Sequence, residues 1–148
     1  MDAHGDAATF WPPGGTRLAG FAWSAGVSLF LFAHAVAHLV GTSRALEAAA
    51  NGESLDYLGG AWQISDPSAL RIVGLAWAVV AVAYVAAAAG EWLGWRGWWR
   101  FVVGVTVFSL VLTVVGLWEA WVGVTINMII LCVWWLAGDI GARNRSWR

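Results

Sequence analysis

The chain has 148 residues, of which 60% are hydrophobic and 11% charged, with a net charge of −1 and no lysine. Soluble domains carry roughly 25% charged residues, so this chain has too few to coat a water-facing globule and reads as an integral membrane protein. The missing lysine excludes a lysine Schiff base and a Walker phosphate loop. The single cysteine, Cys132, excludes an internal disulfide. The near-neutral charge gives no footprint for nucleic acid.

Four apolar stretches follow in chain order, at residues 18–41, 70–92, 99–117 and 121–136. A bilayer core of about 30 Å needs roughly 20 apolar residues in helix. The expected fold is all-α: one domain over residues 1–148, an integral membrane antiparallel four-helix bundle with an outer loop at 42–66. The first stretch is too long for a signal peptide, and Asp2 and Asp6 precede it, so it reads as a retained anchor. Residues 42–50 favour helix, so span one is expected to project beyond the membrane, with Asp56 to Trp62 folding back as a lid. Asp66-Pro67 is a helix start, a capping aspartate followed by proline at the first helical position. Gly97 separates spans two and three. Only Trp118, Glu119 and Ala120 separate spans three and four, which makes those two antiparallel neighbours.

Arginine placement sets the orientation. Arg17, Arg96, Arg100, Arg143, Arg145 and Arg148 fall on one side of four spans. The loop carrying Glu47, Glu53, Asp56 and Asp66 falls on the other, and Arg71 is the dissenting charge. The expected location is the cell (inner) membrane with both termini cytoplasmic. Most of the 13 tryptophans then form interfacial belts. Trp92, Trp95, Trp98, Trp99, Trp134 and Trp135 mark the inner face, and Trp62, Trp118 and Trp121 the outer. Trp77 lies inside span two.

Polar groups within hydrocarbon are costly and call for a reason. His34 and His38 stand one helical turn apart on one face, a spacing that can clamp a metal ion. Beside them Ala33, Ala37 and Gly41 form a small-residue ridge suited to close helix packing, so the histidines are expected at a helix seam. Counting depth along the spans puts His34, His38, Thr113, Glu119, Thr125 and Asn127 in the outer half. Tyr84, Thr106, Ser109, Ser24 and Ser28 fall in the inner half, away from the histidines. Glu91 is expected to pair with Arg96 at the interface. Cys132 is expected to be a small buried hydrophobe.

Two readings of this polarity remain open. One is an outward-opening pocket lined by His34, His38, Glu119, Asn127 and Thr113, with Trp62 on its lid. It would hold a divalent metal, a quinone head group or another small amphipathic ligand. The other is interhelical hydrogen bonding that fixes the packing. A metal at His34 and His38 needs a third ligand, drawn from Glu119, Asp56 or Asp66. Bis-histidine haem fails because both histidines share one face. A serine-hydrolase triad fails for want of a nucleophile elbow and a serine at the right depth.

The segments from His34 to Gly41, from Leu58 to Asp66 and from Trp118 to Asn127 together resemble a family of small four-span bacterial membrane proteins. That resemblance implies the four-span fold and brings no activity with it. More distantly, a histidine-bearing first span ending in glycine is similar to the DoxX-like four-helix membrane proteins, some of which are tied to thiosulfate–quinone redox chemistry. Where those chains have His-Gly and then a basic residue one turn on, this one has His34-Ala35 and His38. The expected function is a small-ligand-binding membrane protein, an accessory subunit of a redox or transport system. The alternatives are a quinone-linked or metal-assisted enzyme using His34, His38 and Glu119, and a structural or assembly subunit with no ligand. The expected partners are the lipid bilayer and a second copy or a larger membrane complex.

Overall fold

The computed structural model describes residues 17–95 and 97–145, with side chains for 18–95, 97–116 and 120–136. The chain is all-α apart from one small hairpin. Helix α1 runs Arg17–Asn51, α2 Pro67–Trp92, α3 Trp98–Val115 and α4 Leu117–Arg145. Between α1 and α2 lie strand β1 (Leu55–Tyr57), a short 3-10 turn (Leu58–Gly60) and strand β2 (Trp62–Ile64).

Three helices, Leu18–Asn51, Pro67–Trp92 and Trp98–Val115, are long and apolar enough to cross a membrane. A shorter apolar stretch covers Ala120–Leu136 of α4. Large apolar side chains such as Leu29, Phe32, Ile72, Leu75, Val82, Val111 and Val133 are exposed. A helix that is apolar all round is a helix of a membrane or of a large core, and a chain of 148 residues has no large core.

The punctuation expected at Asp66 and Gly97 is present. The Asp66 carboxylate accepts from the Ser68 amide at 2.8 Å, and Pro67 opens α2. Gly97, at φ 78°, occupies the left-handed region that suits glycine and starts α3. The backbone of α4 kinks at Ala120, where φ is −113°.

Contacts between helices run in opposite chain order. Early α1 meets late α2 where Ser24 donates to Glu91 at 2.9 Å, and later α1 meets early α2 where Gly41 faces Trp77. In the same sense Ser109 and Trp98 of α3 meet Asn127 and Trp134 of α4. The apolar core gathers Leu31, Ala35, Val80, Tyr84, Ala87, Val102 and Ile130 from all four helices.

Helix α1 is ten residues longer than the expected span and continues to Asn51. The hairpin docks on this extension. Leu55 pairs with Ile64, Asp56 with Gln63 and Tyr57 with Trp62. Tyr57 and Ile64 then pack with Ala48, Ala49 and Leu70 in a second apolar cluster. The turn between the strands takes Leu58, Gly59 and Gly60 through positive φ, a geometry that two glycines ease.

Two packing expectations need correction. Ala33 and Ala37 are exposed, so the small-residue ridge is not the seam. The face that carries Leu31, His34, Ala35, His38, Ala45, Ala48 and Ala49 is buried instead, and at about 100° per residue it turns Ala33 and Ala37 outward. Of the ridge, Gly41 approaches α2 closely: a Cβ there would lie 2.8 Å from the Trp77 indole. Cys132 is exposed and not buried, because α4 turns Asn127 and Ile130 inward and leaves Cys132 on its outer face.

Candidate functional site

The site begins with helix register. On α1, His34 and His38 share the buried face and expose 3% and 2% of their surface. Tyr84 of α2, Thr106, Ser109 and Thr113 of α3 and Asn127 of α4 are equally buried and meet them. Asn127 is the centre. Its Oδ1 lies 3.0 Å from His34 Nε2 and 3.1 Å from the Tyr84 hydroxyl. Its Nδ2 donates to Ser109 Oγ at 2.9 Å and to Thr113 Oγ1 at 3.3 Å. Ser109 Oγ in turn lies 2.9 Å from His38 Nε2. Thr106 takes the hydroxyl of Tyr84 at 3.1 Å and donates to the Val102 carbonyl at 2.7 Å. Thr113 donates back to the Ser109 carbonyl at 3.0 Å.

Burying a polar group costs free energy unless it finds a partner, and the network meets that demand almost completely. Two atoms are left over. Among the described residues His34 Nδ1 and His38 Nδ1 have no hydrogen-bond partner, although both are shut off from bulk water. The two rings stand edge to face with centres 4.8 Å apart. Tyr84 and Trp77 flank them, the His38 ring lying 5.6 Å from Tyr84 and 5.1 Å from Trp77.

A cavity of about 280 Å³ adjoins these rings. Its lining includes His34, His38, Thr113, Trp77, Gly41 and Arg44 from the helices. Leu55, Asp56 and Tyr57 from the hairpin close one side. Asn127 stands behind the lining and is tied to it through His34 and Thr113. Trp62 is exposed and packs on Tyr57, 6.1 Å between ring centres, so it supports the lid without lining the cavity. Glu119 lies in the first turn of α4, and its side chain is outside the described residues. Of the other carboxylates considered as third metal ligands, Asp56 lines the cavity and accepts from Gln63 at 3.1 Å, while Asp66 caps α2. Among the described residues no three His, Cys, Asp or Glu side chains are grouped for a metal ion.

Sorting the polar residues by depth misplaced three members. Ser109 touches His38 and is not remote from it, and Tyr84 and Thr106 belong to the same network. The cause is the length of α1. With the helix ending at Asn51, His38 lies 13 residues from its end, about 20 Å at 1.5 Å per residue. The 2.9 Å contact between Ser109 and His38 sets the two side by side. The serine–histidine contact does not make a hydrolase pair: no carboxylate among the described residues holds His38 Nδ1, and Ser109 is fully buried behind the cavity. Glu91 accepts from Ser24, and Arg96, its expected partner, lies outside the described residues.

The fold and site together define a helical chain with three membrane-compatible helices that buries a polar network at its centre. Compared with protein-family models, curated proteins and solved structures, the chain matches none.

Proposed function

We propose that the chain is a four-span protein of the cell (inner) membrane, with both termini cytoplasmic, whose outward-facing cavity binds a compact, quinone-like ring compound. It would serve as an accessory subunit of a redox or transport system. The observation that carries this reading is the pair of buried histidines in the cavity wall, each with an unpartnered Nδ1. A network built only for packing has no use for two orphaned ring nitrogens, each of which costs roughly 1–3 kcal/mol when buried. The volume of about 280 Å³ lies just below the roughly 300 Å³ at which small-molecule sites start. It suits a single ring rather than a large cofactor.

The test is lipid-extract mass spectrometry with elemental analysis on protein purified in mild detergent, wild type beside His34→Ala/His38→Ala. A ring compound present in wild type and absent from the variant is expected. A wild type free of any bound small molecule would move the histidines to a packing role. The orientation has its own check. A C-terminal reporter should be active in the cytoplasm, and activity on the far side would overturn the proposed topology.

A further inference from the structure

The cavity beside the histidines is rimmed by Ala37 and Val40 of α1 and Val122 of α4, all exposed. Arg44 of the α1 extension and Asp56 of the hairpin complete the exposed rim. A second cavity, of about 300 Å³, is rimmed by Gly26 and Phe30 of α1 and Ile129 and Val133 of α4, again exposed. Its lining is apolar throughout and includes the buried Leu31, Val102 and Ile130. Both cavities therefore open on the flank between α1 and α4.

One stripe of α1 joins the two openings. Ala22, Gly26, Phe30, Ala33, Ala37 and Val40 follow at steps of three and four residues, which places them on a single helix face. All six are exposed. On α4, Val122, Ile126, Ile129 and Val133 follow at the same steps and line one cavity or the other. The two linings come within a helical turn of each other, from His34 to Leu31 and from Ile126 to Ile130, roughly 5 Å along each axis. The α1 stripe residue at this crossing is Ala33, which is small and exposed. On the four-span reading the stripe faces lipid chains and not water.

This layout constrains what a ring in the polar cavity can carry. His34, His38, Thr113, Trp77 and Tyr57 of the lining are buried, so a substituent leaves across the exposed rim. Towards Arg44 and Asp56 it meets charge. Across Ala37, Val40 and Val122 it meets hydrocarbon, and that route continues along the stripe to the apolar cavity.

We propose that the two cavities form one head-and-tail site. The ring of the ligand proposed above sits in the polar cavity, and a hydrocarbon tail on that ring runs along the α1–α4 flank into the apolar cavity. The proposal rests on the ring reading and narrows the ligand class to a membrane-soluble ring with an alkyl or prenyl chain, which reaches its site from the bilayer. Moving a tail from lipid to the groove exchanges one set of apolar contacts for another. The groove therefore fixes the tail's position, and the polar cavity selects the head. Gly26 keeps the groove open, because a Cβ there meets nothing within 4 Å.

The test uses a trimethylbenzoquinone whose remaining ring position carries a decyl chain ending in a diazirine. The ring is fully substituted and so inert towards the exposed Cys132. The protein is irradiated with this compound in phosphatidylcholine nanodiscs, and the adducts are mapped by peptide mass spectrometry. Residues 22–31 and 129–134 should be labelled severalfold more than Ile72 and Val82, which are exposed on α2. Excess duroquinone, the same ring with a methyl group in place of the tail, should remove that preference. Gly26→Leu, which puts a side chain into the groove, should cut labelling at residues 129–134 and keep the rise in melting temperature that duroquinone gives by mass action. Unchanged labelling in this variant overturns the placement of the tail. Even labelling of the wild type, with the duroquinone shift present, overturns the tail site and leaves the ring reading standing. Even labelling without that shift takes both away. Preferential labelling that duroquinone does not displace shows a groove open to any lipid chain, and overturns the joined site.

Discussion

Helices α1 and α4 border two cavities of similar size, one lined by apolar residues throughout and one that adds polar side chains to an apolar lining. Near the hairpin, the cavity of about 280 Å³ meets histidine, threonine, arginine and aspartate. Towards Gly97, one of about 300 Å³ is lined by Trp23, Val27, Leu31, Trp98, Ile130, Trp134 and other apolar residues. The contact between His34 and Asn127 stands beside the first of them. The difference teaches where selectivity can reside in a membrane protein. Lipid tails are as apolar as leucine, so an apolar lining cannot tell a ligand from a lipid chain. The polar cavity can, because an unmatched ligand leaves buried donors and acceptors without partners.

The largest expected effect breaks the polar end outright. Asn127→Leu removes the group shared by His34, Tyr84, Ser109 and Thr113. It should cost about 2–4 kcal/mol in detergent unfolding. Wild-type stability would mean that the network contributes little to holding the helices. Next, Gly41→Val drives a side chain into the Trp77 indole, which a Cβ alone would already approach to 2.8 Å. About 1–3 kcal/mol of destabilisation is expected from such overpacking. Its counterpart in the apolar cavity, Gly26→Ala, meets nothing within 4 Å, and should leave the melting temperature unchanged. Similar losses in the pair would show that the two ends are packed alike. Tyr84→Phe deletes one donor to Asn127 while keeping the ring, and a loss of about 1 kcal/mol would fit interhelical hydrogen bonds in membranes. The smallest effect belongs to Trp135→Phe. Trp135 is 77% exposed, and the change should stay within about 0.5 kcal/mol. Loss of ligand binding in this variant would show that the tryptophan-rich end takes part in the site.

Much of the helical layout was legible before the structure, because each apolar run is long and its stops are chemically marked, as at Asp66-Pro67 and Gly97. His34, His38, Thr113 and Asn127 were also legible, since polar groups stand out against apolar neighbours. Ser109, Tyr84 and Thr106 were set apart from them. Their depth was counted from span ends, and hydropathy ends the span at Gly41, where polar residues begin, although residues 42–50 were expected to continue the helix. Helix propensity carries it on through Ala45, Ala48 and Ala49, and only tertiary packing against the hairpin shows that this extension is kept. The facing side of α1 was misread for a related reason. Small residues mark a face that can pack closely, but the histidines needed partners more than the alanines did.

The bond between His34 and Asn127 spans 93 positions of the chain. In a chain inserted as it is made, α1 enters the bilayer long before its acceptor exists. At 5–20 residues per second the wait is roughly 5–20 s. For most of that interval both imidazoles lie in lipid without Ser109 or Asn127 to receive them. A chain stalled between α3 and α4 already holds Ser109 for His38 but still lacks the Asn127 partner of His34, so the last helix completes the network.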